Sequence, residues 1–126
     1  MRPFVFATFS ALLSPVFDHY KFAEFHDGTR WTIHGSWPSR STDWPEFCPG
    51  PPFNRTALEP LEPRLERDWP NYWGSSAALH KHEYDRHGKC SGLSEVDYFA
   101  RALDAYDRYS LNVLFPESAR PPLSRD

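Results

Sequence analysis

His80-Lys-His-Glu-Tyr-Asp-Arg-His-Gly-Lys-Cys90 sets three histidines, a glutamate, an arginine and a cysteine within eleven residues. Upstream, Ser75 and Ser76 supply hydroxyl caps and Ala77-Ala78-Leu79 a good helical start. Gly88 stands where a helix ends. The spacing predicts a helix through His87. On it Glu83 and His87 lie four apart and share a face, about 40° from each other. His82 and Arg86 form a second such pair, and Glu83 to Arg86 is a three-residue step. Acid, guanidinium and imidazole are thereby offered together, with His82 at their edge. The plainer reading is a solvated histidine-rich helix end, with His87 favoured there by the dipole. Zinc helices of the metalloprotease kind need histidines four apart. His82 and His87 are five apart, about 140° around the helix. The stretch therefore reads as acid–base chemistry with no metal and no cofactor.

The 126 residues suit one domain with a modest core. Hydrophobic and charged fractions of 40% and 25% fit a globular chain. Aromatic residues reach 17%, enough to suggest that aromatic surfaces bind a partner as well as fill the core. The formal charge is −3, and six histidines reverse it to +3 once protonated. A polyanion is thus held better in acid, and at neutral pH only by a local basic patch.

Met1 to Phe17 is apolar apart from Arg2, Thr8, Ser10 and Ser14. It reads either as a short secretory signal or as a buried strand, and it is too short for a comfortable membrane span. Residues 18–126 form the single domain. Asp27-Gly28 is a turn signal between two short strands. The second strand, Thr29 to His34, places Trp31 and Ile33 on one face and Thr32 and His34 on the other. Gly35 and Pro38 end it, leaving His34 at a strand end and Trp37 on the loop beyond, a common place for a working residue.

Ser39 to Pro63 is rich in proline and reads as loop. It holds Cys48 and the glycosylation acceptor Asn54-Arg55-Thr56. Two cysteines alone establish no pairing. If Cys48 and Cys90 do pair, the closed loop is worth roughly 4 kcal/mol and clamps the end carrying His87 to the loop after Trp37. Arg64 to Trp73 reads as a short helix interrupted at Pro70, with Trp69, Tyr72 and Trp73 in the core. Ser94-x-x-Asp97 caps the clearest amphipathic helix, Glu95 to Tyr109, with Val96, Phe99, Leu103 and Tyr106 as its apolar stripe. Ser110 to Phe115 starts another apolar element, and Pro116 to Asp126 reads as frayed.

Two separated segments resemble the active-site motifs of the ribonuclease T2 family, in the family's order. They are Trp31-Thr32-Ile33-His34-Gly35-Ser36-Trp37-Pro38 and His82-Glu83-Tyr84-Asp85-Arg86-His87-Gly88-Lys89-Cys90. The resemblance runs from about Trp31 to Leu114. It implies an α+β fold, a mostly antiparallel sheet flanked by helices, a Cys48–Cys90 bridge, and a secreted, lysosomal or vacuolar setting. It also implies a monomeric endoribonuclease acting on single-stranded RNA, without a metal and without activity on DNA. By resemblance His87 is general base and His34 general acid. Glu83, with His82 and Arg86, holds and polarises the phosphate, Trp37 stacks on a base, and the product is a 2′,3′-cyclic phosphate.

The chain departs from the family pattern at several places. Ser36 stands for a usual leucine, Tyr84 for tryptophan, Arg86 for lysine, and Ser39 for an acidic residue. Arginine keeps the charge of lysine but changes its geometry. The chain is also shorter than family members usually are, so an incomplete version of the fold is expected. The alternative to an active enzyme is an inactive RNA-binding or structural remnant of the same fold.

Overall fold

The structure, a computed structural model, describes residues 17–119. The leader or strand expected over residues 1–17 therefore lies, but for Phe17, outside the described residues. Among the described residues, strands β1 (His19–His26) and β2 (Trp31–Ser39) form an antiparallel pair. They meet at the expected Asp27-Gly28 turn. There Asp27 Oδ1 accepts from the backbone N of Thr29 and of Arg30 at 2.8 and 2.9 Å, and Gly28 takes φ 104°. Such a φ suits glycine, which has no Cβ to clash.

β2 differs from its expected form. It runs through Gly35, Trp37 and Pro38 to Ser39, because partners on β1 continue to pair with it. Pro38 is tolerated because this two-stranded sheet leaves β2 with an outer edge. The pairing steps from Ala23–Gly35 to Glu24–Ile33, so His34 is an extra residue with no partner on β1. A bulge of this kind re-aims side chains and flips the alternation beyond it.

Among the described residues there are four helices, α1 (Glu62–Asp68), α2 (Ser76–Arg86), α3 (Glu95–Tyr109) and α4 (Leu111–Leu114), of which α3 packs on β2. The fold class is α+β, as expected. Short 3-10 segments cover Arg55–Leu61, Gly88–Ser91 and Pro116–Ala119. The first lies within the segment read as loop. It forms because Asn54 caps it, accepting from Thr56 N at 3.1 Å, and because Leu58 is buried in the core. α1 starts at Glu62, with Pro63 in the first turn where its missing N–H costs nothing. It ends before Pro70. The core residues expected here divide. Trp69 is fully buried, whereas Tyr72 and Trp73 are 42% and 73% exposed. The loop after Pro70 carries these two rings to the face of Phe25, with centroids 5.4 and 4.9 Å from it.

Ser75 caps α2 by accepting from Ala78 N, and Ser94 caps α3 by accepting from Asp97 N, both at 3.1 Å. The buried stripe of α3 is Tyr98, Phe99, Ala102, Leu103 and Tyr106, while Val96 lies exposed one step off it. These residues join Ile33, Leu58, Leu65, Trp69 and Tyr84 in one core. Two tyrosines of α3 tie it to β2: Tyr98 and Tyr106 donate their hydroxyls to the carbonyls of Ser36 and Trp31, each at 2.7 Å. The remainder beyond Ala119, expected to be frayed, lies outside the described residues. No described helix is long and apolar enough to cross a membrane.

Cys48 and Cys90 are bonded across 42 residues of sequence. Closing a loop of that size restricts the unfolded chain and stabilises the fold by roughly 4 kcal/mol. Cys90→Ala should accordingly lower Tm by on the order of 15 °C, and reductant should reproduce the loss in the unmutated protein. Equal melting of reduced and oxidised protein would remove the bridge from this account.

Candidate active site

α2 carries most of the acidic and basic groups of the site, and the expected geometry needs one adjustment. The helix ends at Arg86, and His87 is its C-cap, with Gly88 opening the following 3-10 turn. The His87 N–H still donates to Glu83 O at 2.9 Å, so the four-residue step holds. Gly88 is needed for space, since a Cβ there would press into the rings of Tyr84 and Tyr98.

β2 brings the second group. His34 and Trp37 are three apart and would face opposite ways in a regular strand. The bulge at His34 puts both on one side, where their rings meet edge to face at 5.9 Å. The carbonyl of the unpaired His34 is satisfied by Trp69 Nε1 at 3.1 Å, which pins the bulge to the core.

The two elements close on each other through Trp37. Its indole N–H donates to Glu83 Oε1 at 2.8 Å, and its ring stacks on His87 at 5.1 Å and 26°. Gly35 sits beneath this contact. A Cβ on it would overlap both the Glu83 carboxylate and the Trp37 nitrogen, so only glycine leaves room for the bond. The result is a cleft of about 420 Å³ lined by His34, Trp37, His82, Glu83, Arg86 and His87, with Lys21, Ser39, Trp44 and Leu79 completing the wall. All six residues singled out in the sequence for acid–base chemistry, phosphate contact and stacking are therefore in one place.

Burial sets the protonation states. Glu83 is 3% exposed, and desolvation raises its carboxyl to about 7 in spite of the Trp37 hydrogen bond and the nearby Arg86 charge. His87 is 5% exposed; desolvation first, then Arg86, lowers its imidazole to about 4. Its Nδ1 is sealed from solvent with no hydrogen-bond partner among the described residues, which also disfavours the charged ring. His34, half-buried, is lowered by desolvation and by His82. An acid that keeps its proton up to near neutrality thus stands beside two imidazoles that shed theirs early. Pairs of titrating groups driven apart in this way mark acid–base sites.

The third histidine of the opening stretch is structural. His80 is fully buried, donates Nε2–H to Trp69 O at 2.7 Å and accepts at Nδ1 from Arg55 at 2.6 Å. Asn54 is exposed, with its backbone N–H donating to Glu95 Oε1 at 2.7 Å. Among the described residues, no group of three or more His, Cys, Asp or Glu side chains converges as a metal-ligand set.

Sequence reading missed Lys21, Trp44 and Glu46. Lys21 pairs with Trp37 across the sheet and lies over the Trp44 ring at 5.8 Å. Counting back from the turn would have found it only with the bulge known. Glu46 pairs with Arg86 at 2.8 Å across 40 residues, and no local signal announces that contact.

The α+β fold thus closes two histidines, a buried carboxyl and an arginine around one cleft, a set of groups able to exchange protons. Comparison with known sequences then gives the family: residues 17–122 match the Ribonuclease T2 family, and the chain belongs to it. It is 39% identical over 85 residues to ribonuclease DdI of Dictyostelium discoideum, covering 64% of this chain and 38% of that one. To ribonuclease T2 of Homo sapiens it is 33% identical over 104 residues, covering 75% of this chain and 39% of the relative. The chain thus spans about two fifths of the length of these relatives. Among solved structures it is similar to a variant of RNase MC1 in complex with 5′-GMP, with a TM-score of 0.76 at 26% identity, covering 86% of this chain and 67% of that one. Human RNase T2 superimposes with a TM-score of 0.66 at 30% identity, covering 78% and 53%.

Proposed function

We propose that the chain is a ribonuclease T2-type endoribonuclease that cuts single-stranded RNA by transphosphorylation. The observation that carries this reading is the convergence of His34, His82, Glu83, Arg86 and His87 on one cleft. RNA brings its own nucleophile, so the protein must move two protons and stabilise charge on phosphorus. Neutral His87 takes the proton of the 2′-OH as its oxygen attacks phosphorus. His34, protonated, gives a proton to the departing 5′ oxygen. The product is a 2′,3′-cyclic phosphate.

Glu83 enters as the neutral acid. Trp37 occupies its Oε1, so its proton sits on Oε2 and is donated to a phosphate oxygen. Its raised pKa supports that role, because a carboxylate there would repel the phosphate. Arg86 and His82 supply the remaining donors. One face of Trp37 is taken by His87; its other face and the half-exposed Trp44 are offered to the bases, a sequence-tolerant contact. The disulfide suits an oxidising, secreted or lysosomal setting, in which the exposed Asn54 would carry a glycan.

The test is incubation with single-stranded RNA and the matched DNA across a pH series. RNA should be cut to cyclic-phosphate ends and DNA left intact, for lack of the 2′-OH. The rate kcat/KM should be bell-shaped and acidic. Activity falls below about pH 4 as His87 protonates. It falls again on the alkaline side as His34 loses its proton, at a pH below the ordinary 6.5. The limbs belong to the coupled pair. Equal cleavage of both nucleic acids sinks the reading, and folded protein that binds RNA without cutting it supports the inactive remnant.

A further inference from the structure

Glu46 is exposed and does not itself line the cleft, but it holds two residues that do. Its Oε2 accepts from Arg86 Nε at 2.8 Å and from Trp44 Nε1 at 3.3 Å. Arg86 spends Nε on this bond, which leaves the terminal nitrogens of the fork unspent among the described residues. The segment carrying Glu46 is anchored twice just beyond that contact. Phe47 N donates to Arg86 O at 2.8 Å, and Cys48 is bonded to Cys90, just past the helix end. At the first of these anchors Phe47 takes φ 52°. A bulky residue avoids that region, and such a conformation persists only where the surroundings over-determine it.

We propose that Glu46 is a positioning residue, fixing Arg86 through Nε so that its terminal nitrogens meet the substrate phosphate, and tying that fork to the Trp44 ring. This rests on the phosphate-binding role given to Arg86 above. A lysine presents a point charge and needs little orientation, whereas an arginine fork works only when its plane is set. Clamping Nε sets it before substrate arrives and reduces the ordering cost on binding. Glu46 also tempers the field at His87. Arg86, His82 and His34 all disfavour the imidazolium there, while the Glu46 carboxylate opposes them.

The test compares Glu46→Ala, Glu46→Gln, Arg86→Lys and the Glu46→Ala/Arg86→Lys pair in the full chain, with melts to show that each folds. Glu46→Ala should lower kcat about tenfold with a smaller change in KM, since a charge-assisted bond is lost. Glu46→Gln should recover part of the loss, because its amide oxygen still accepts from Nε. In the Arg86→Lys background Glu46→Ala should cost less than about twofold, as the two act together. The acidic limb of kcat/KM should move to lower pH in Glu46→Ala. Additive losses, or a gain in affinity on removing Glu46, would show a mere screen of the cation and overturn the proposal.

Inorganic phosphate provides an arm independent of turnover. Titrated into the wild type, it should shift the terminal N–H resonances of Arg86 and leave the Nε–H bond in place. Phosphate that displaces Glu46 from Nε overturns the proposal even if RNA is cut. If no RNA is cut, an intact clamp with phosphate on the fork upholds positioning and removes only the ribonuclease reading.

Discussion

His87→Ala should lose roughly 10²–10⁴-fold in turnover of RNA, and His34→Ala as much. Each removes one of the two proton transfers of the proposed reaction. His34→Ala should cost little stability, because that ring is only half-buried, whereas His87→Ala removes a buried ring and should lower Tm more. His87→Ala also leaves Trp37 without its stacking partner, yet the Glu83 bond still holds that indole. The double variant should be scarcely slower than either single, since a base without its acid partner completes no turnover. His82→Ala and Arg86→Ala should each lose less, because other donors to the phosphate remain. Single-turnover assays on melt-checked variants measure all of this. An active His87→Ala protein would end the assignment of the base, and multiplied losses in the double variant would show that the histidines act separately.

The second large effect is expected at a residue with no side chain. Gly35→Ala adds one methyl in the space where the Trp37 indole N–H meets the Glu83 carboxylate. Overpacking of this kind costs about 1–3 kcal/mol. The loss of activity should be larger in proportion. Trp37 touches His34, His87 and Glu83, so moving it displaces the three groups that handle protons, and a misplacement of about 1 Å can cost on the order of 10²-fold. With the Trp37 bond broken, Glu83 also loses the contact that lowers its pKa, so the carboxyl should rise above about 7. Gly28→Ala is the control for stability alone. It meets no atom within 4 Å but is forced to a positive φ, in the hairpin turn and outside the residues that line the cleft. Melting curves with kcat/KM for both variants decide the matter. A Gly35→Ala protein with wild-type rate would show that the Trp37–Glu83 contact is incidental.

The helix that carries the site was legible because its determinants are local. Ser75 caps it, the four-residue step sets Glu83 over the His87 amide, and the chain turns at His87–Gly88. The amphipathic helix Glu95–Tyr109 was legible for the same reason, through Ser94 and a repeating apolar stripe. Its exact stripe was not, because the neighbours that bury Tyr98 and Ala102 and leave Val96 outside are distant in sequence. Motif resemblance located His34 and Trp37, but local pattern ended their strand too soon. Gly35 and Pro38 look like terminators until β1 is laid alongside and continues the ladder to Ser39.

What tertiary structure alone decided is which groups face one another. The bulge that turns His34 and Trp37 to one side exists only in the pairing of two strands, and Trp69 secures it from another element. The acid state of Glu83 and the neutral state of His87 follow from desolvation, which no residue has until the chain has packed around it. Glu46 reaches Arg86 across 40 residues, by way of a loop held by the Cys48–Cys90 bridge. Residue types and short spacings are written along the chain, whereas burial, long-range pairing and the field at a given atom are sums over neighbours that folding brings together.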